Sequence, residues 1–138
     1  MKTKISLSKR VKSLYLNLPK LKRAALKAVD LQPIPHQELE ITFVDDAQIA
    51  QIHGEYMDDP TPTDVITFPL GEEYAQLIIS VDTCKRQALE FGNTFDKELI
   101  LYMVHGILHL AGYDDRTKKQ ITQMRKMESE LLVKLGLA

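Results

Sequence analysis

From Glu38 to Val44 apolar residues alternate, with Leu39, Ile41 and Phe43 on one face, and at Asp45 the spacing becomes helical. Alternation is the mark of a strand with one buried face. Asp45 followed by Gln48 forms a capping-box pattern, and Ile49 and Ile52 then face inward to about Tyr56. A strand running directly into an amphipathic helix requires a sheet against which the helix can bury its apolar side.

The same reading extends along the chain. Pro19 starts a helix carrying Leu21, Ala24, Ala25, Leu26 and Ala28 that ends before Pro33 and Pro35. A first strand is expected around Ser13 to Leu16. Pro60 and Pro62 make residues 58–64 a loop. Val65 to Phe68 and Leu77 to Val81 read as an antiparallel pair joined by a turn at Gly71. Asp82 is expected to cap a helix stopping at Gly92, and the next helix has Asp96 and Glu98 in its first turn and ends at Gly112. Thr117 with Gln120 opens a last helix, ending at Gly136, whose buried stripe would be Ile121, Met124, Met127, Leu131 and Leu135. The expected class is α+β: a small mixed sheet of about four strands with four or five helices.

A chain of 138 residues can bury such a core without cross-links, and residues 1–138 read as one domain. The longest apolar runs fall far short of the roughly 20 residues that span a bilayer, and no apolar leader segment follows the N-terminal lysines. The lone Cys84 cannot form an internal disulfide and is expected to be a small buried residue. These features favour a reducing, cytoplasmic setting.

The net charge of −1 hides a sorted distribution. Residues 1–29 carry nine basic and no acidic side chains, whereas 30–84 carry twelve acidic and no Lys or Arg. The basic segment either solubilises a helix or forms an anion-binding face.

The strongest chemical signal is His105-Gly-Ile-Leu-His109-Leu-Ala-Gly112-Tyr-Asp-Asp115. Histidines four apart on a helix project to one side, one turn apart, so that one metal ion can bridge them. Gly112 permits a positive φ that folds the chain back, and Asp115 can then supply a third ligand. Three protein ligands leave a position for water, the arrangement of a catalytic rather than a structural zinc. Asp114 is the rival third ligand, or a carboxylate orienting an imidazole from outside the coordination sphere. Two core histidines with satisfied hydrogen bonds are the competing explanation. His36 and His53 read as ordinary loop or surface residues.

This segment resembles the signature His-Gly-x-Leu-His-Leu-x-Gly-Tyr-Asp-His of the YbeY-type rRNA maturation endoribonucleases. Pro62-Thr-Asp-Val-Ile-Thr-Phe-Pro69 is similar to the family's Pro-Thr-Asp/Asn-Val-Leu-Ser-Phe-Pro, Ile78, Ile79 and Ser80 fit its next strand, and Met124 with Glu128 matches Met-x-x-x-Glu in its last helix. The resemblance covers about residues 38–135. It implies a zinc-dependent, single-strand-specific endoribonuclease acting in 16S rRNA 3′-end maturation and ribosome quality control. It also implies rRNA and the small ribosomal subunit as partners, ribosome assembly proteins among them, and a fold related in outline to metalloproteases.

Three positions depart from the family pattern. Asp115 stands where the family usually has His; the carboxylate lowers the formal charge of a divalent site from +2 to +1 and relaxes its preference for zinc toward Ni, Mn or Fe. Met57 stands where the family has an arginine after the loop tyrosine. Tyr74-Ala75-Gln76 replaces Leu-Gly-Asp. Cations expected near the metal helix are Arg86, Lys97 and Arg116, none with an assigned role. Thr63 and Asp64 are expected to hold a turn rather than act in catalysis. Alternative functions are a non-catalytic or weakly active ribosome assembly factor with a structural metal and, less favoured, a metalloprotease. Metzincin-like proteases place a Glu base after the first His, where this chain has Gly106.

Overall fold

The computed structural model describes residues 3–12, 16–57 and 65–137. Within these residues four strands form one sheet: β1 (Lys4–Lys9), β2 (Glu38–Val44), β3 (Val65–Leu70) and β4 (Tyr74–Ser80), in the spatial order β1-β2-β4-β3. β1, β2 and β4 are parallel and β3 runs antiparallel to β4, so the sheet is mixed. Among the described residues five helices accompany it: α1 (Leu18–Leu31), α2 (Asp46–Met57), α3 (Val81–Phe91), α4 (Phe95–Leu110) and α5 (Lys118–Lys134).

Leu39, Ile41 and Phe43 of β2 join Ala75, Leu77 and Ile79 of β4 in the main core, with α1, α4 and α5. The alternate residues Val44, Ile66 and Ile78 point to the other face and meet Ile49 of α2 in a smaller cluster. With helices on both faces, β2 is buried beyond its alternating set; even Thr42 is 2% exposed.

The first strand described lies at Lys4–Lys9; of the stretch expected around 13–16, residues 13–15 lie outside the described residues. Its signal is the short alternation of Ile5 and Leu7 between lysines; β1 pairs along its length with β2 and buries Ile5 against the main core. The expected loop at 58–64 also lies outside the described residues. α1 is opened by Asn17, whose side chain accepts from Lys20 N at 3.2 Å, and it buries Leu21, Ala25, Ala28 and Val29, one stripe at helical spacing. The capping box of α2 is present in both directions: Gln48 N donates to Asp45 Oδ1 at 2.8 Å, and Asp45 N to Gln48 Oε1 at 2.9 Å. The cap of α3 is Ser80, not Asp82. β4 passes into α3 without a connecting residue, so the last strand residue turns its Oγ to Thr83 N, at 3.2 Å.

α4 is apolar on almost all sides, as suits a helix enclosed by the sheet, α1, α3 and α5. Its fit against the sheet depends on Gly106. A Cβ there would lie 2.7 Å from Leu77 Cδ2 and 2.8 Å from Cδ1, inside contact distance.

Candidate metal centre

α4 is the element that positions the candidate ligands. His105 and His109 emerge on the side of the helix turned toward α5 and the loop after α4, with their Nε2 atoms 3.1 Å apart. α4 ends in a Schellman-type arrangement, in which Tyr113 N donates to Leu108 O at 3.0 Å and Gly112 N to His109 O at 3.1 Å. Gly112 has φ +110°, a conformation that a side chain would strain. This turn brings Asp115 back over the histidines, with Oδ2 at 3.6 Å from the Nε2 of each.

Three donors at about 2.0–2.1 Å from a tetrahedral ion stand roughly 3.3–3.4 Å from one another. The separations of 3.1, 3.6 and 3.6 Å bracket that value, so the triangle has the size a zinc-like cation requires. The donor chemistry also fits. Glu128 of α5 accepts from His105 Nδ1, and an imidazole with its proton on Nδ1 turns the Nε2 lone pair toward the other two donors. The side chain of Asp115 is 44% exposed against 28% and 25% for the two histidines, which leaves the triangle open to solvent on the carboxylate side. Among the described residues this is the one His/Asp cluster of metal-binding dimensions.

Asp114 is not part of the triangle. Its Oδ1 accepts from Asp115 N at 2.8 Å and its Oδ2 pairs with Arg116 Nε at 3.3 Å, so it braces the loop that carries Asp115. The residue holding His105 from behind is Glu128, which lies 23 positions along the chain, and no local spacing rule connects the two. α5 itself is set by its capping box, Thr117 with Gln120. His36 and His53 lie outside the cluster, but His36 is buried rather than on the surface. Cys84 is fully buried on α3.

Of the cations expected nearby, Arg86 is held by Asp46 at 2.7 Å and Arg116 by Asp114. Burial pushes the Asp46 carboxyl up, but hydrogen bonds from Arg86, Ser80 and Thr83, together with the Arg86 charge, hold it below the usual range. The cation that does line the cleft beside His105 is Arg125. Sequence reasoning passed over it; the available signal was its place on the face of α5 that also carries Ile121 and Glu128, at i, i+4 and i+7.

A profile of the family described as Endoribonuclease YbeY matches residues 4–136. This chain belongs to that family. The Endoribonuclease YbeY proteins of Bacillus thuringiensis (strain Al Hakam) and Bacillus anthracis (strain CDC 684 / NRRL 3495) are each 36% identical to it over 143 aligned positions, covering 92% of this chain and 90% of theirs. Among solved structures, the solution structure of TM1509 from Thermotoga maritima superposes with a TM-score of 0.65 at 29% identity, covering 95% of this chain and 91% of that one. Within the YbeY family frame, the protease alternative meets a steric obstacle. The position after the first histidine is Gly106, which offers no carboxylate base, and even a Cβ there would lie 2.7 Å from Leu77 Cδ2.

Proposed function

We propose that this chain is a metal-dependent endoribonuclease cleaving single-stranded RNA, that it works in 16S rRNA 3′-end maturation and ribosome quality control, and that His105, His109 and Asp115 hold its one divalent ion. The observation carrying this reading is the convergence of the two Nε2 atoms and one carboxylate oxygen at coordination spacing, in a chain of the Endoribonuclease YbeY family.

A bound divalent cation would supply Lewis acidity toward a phosphoryl oxygen and a source of activated water. The chain's own residues prepare for it. Glu128 fixes the tautomer and direction of His105, the Gly112 turn and the Asp114 brace fix Asp115, and the exposed carboxylate keeps an approach open for a phosphodiester. Zinc suits the two imidazoles; the carboxylate also admits Ni, Mn or Fe. We read residues 1–138 as one hydrolase unit, with the small ribosomal subunit and its assembly proteins as partners and the cytoplasm as its compartment. No helix among the described residues is long and apolar enough to cross a membrane.

The second reading, an assembly factor with a structural metal, is favoured by the pairing of Arg86 and Arg116 with carboxylates, which takes two cations away from a phosphate role. Incubating the zinc-loaded chain with single-stranded RNA separates the readings. Cleavage abolished by chelator and by His109→Ala is the result expected of the enzyme. Binding of zinc and RNA without cleavage would identify the assembly factor.

A further inference from the structure

Beside the metal triangle, between α4 and α5, lies a cleft of about 290 Å³. It shares His105, Asp115 and Glu128 with the candidate metal centre and adds Tyr102, Ile121 and Arg125. Ile121, Arg125 and Glu128 follow one another along a single face of α5, about one turn apart. The face therefore runs from the carboxylate that holds His105, through a guanidinium, to an apolar side chain that is 37% exposed. Arg125 is the one cation among the described residues lining this cleft, and among those residues no carboxylate is paired with it, unlike Arg86 and Arg116.

A positive group beside a metal triangle, with an apolar wall next to it, has the chemistry of a nucleotide subsite: phosphate on the guanidinium and a base against the wall. Resting on the endoribonuclease reading above, we propose that this cleft seats the nucleotide next to the bond being cut. Arg125 binds its outer phosphate, and Ile121 with Tyr102 receives its base. Arg125 is a binding residue, and its guanidinium fork suits a phosphate better than a lysine would.

The experiment uses the full chain loaded with zinc and a fluorescent single-stranded RNA decamer, with anisotropy read before cleavage is measurable, over a range of salt. Single-strand affinity falls with salt at a slope of about −0.7 per phosphate contact, so Arg125→Ala should flatten the log–log slope by about 0.7 and weaken low-salt binding by about tenfold. Arg125→Lys should restore the slope. Ile121→Ser should weaken binding with the slope intact. Zinc affinity, measured by chelator competition, should be the same in all variants. An unchanged slope in Arg125→Ala, or a loss of zinc affinity parallel to the loss of RNA binding, overturns the subsite. Wild-type protein that cleaves RNA while Arg125→Ala behaves identically overturns the subsite alone; wild-type protein that neither binds nor cleaves removes the endoribonuclease reading with it.

Discussion

Glu128 and His105 stand 23 residues apart on different helices, and the carboxylate of the first accepts a hydrogen bond from the Nδ1–H of the second. α5 therefore acts on the candidate metal centre without contributing to the His105, His109 and Asp115 triangle. Removing the carboxylate frees the imidazole to rotate and to exchange tautomers. Such partners of metal-bound histidines typically contribute 10- to 100-fold in metal affinity. Glu128→Ala should weaken zinc binding by roughly that factor. Glu128→Gln should lose less, since its amide oxygen still accepts from Nδ1. Chelator competition on the purified variants measures both, and equal affinities for wild type and Glu128→Ala would show that the contact does not orient the ligand.

Gly106→Ala tests how α4 is seated. The new methyl would meet both Cδ atoms of Leu77, which is fully buried and has little room to yield. Overpacking of this kind costs about 1–3 kcal/mol, and the better helix propensity of alanine returns up to about 1 kcal/mol. A net destabilisation of about 1–2 kcal/mol is expected in urea unfolding. A variant as stable as wild type would mean that Leu77 has an alternative rotamer available.

Much of this architecture was legible locally. The strand Glu38–Val44 has the bounds its alternation implied, and the boxes at Asp45/Gln48 and Thr117/Gln120 are formed, because alternation and capping depend on neighbours a few residues away. Other features depend on packing between distant segments. Ile121 continues the apolar spacing of α5 yet is exposed at the cleft, since α4 covers only part of that face. Asp82 looked like a cap, but the abrupt passage from β4 into α3 gives that place to Ser80. At the candidate site, His105, His109 and Asp115 could be grouped from spacing and a glycine bend. Glu128 and Arg125 could not, because only the docking of α5 on α4 brings them there.

The sheet holds a pH-sensitive pair away from the metal centre. Tyr74 donates its hydroxyl proton to Glu40 Oε2 at 2.6 Å, and this bond, with burial and the Glu40 and Glu38 charges, pushes the phenol up to about 12 from 10.0. A raised folded-state pKa means that the protonated phenol stabilises the fold. That contribution is full below pH 10 and is lost as pH rises toward 12. Wild-type stability should therefore fall across this window more steeply than that of Tyr74→Phe, which lacks the phenol and should be less stable near neutrality. Urea unfolding at a series of pH values, with tyrosinate absorbance as the direct titration, checks the sign.

Asp115 is the position at which a single substitution tests the character of the donor set. With one carboxylate and two neutral imidazoles, a divalent ion would leave the triangle at formal charge +1; with His in place of Asp115 it would be +2. The oxygen donor suits harder ions such as Mn, whereas a third nitrogen favours ions later in the divalent series. Asp115→His should accordingly raise the ratio of zinc to manganese affinity, while Asp115→Ala should lower affinity for both. Gly112, whose positive φ makes the turn, is kept in each variant, so a shift in selectivity would be assigned to the donor rather than to the loop. Competition titrations with the two metals give the ratio directly. If Asp115→Ala binds both as tightly as wild type, the carboxylate is not a ligand, and the triangle measured at 3.1 and 3.6 Å is a hydrogen-bonded cluster around two histidines.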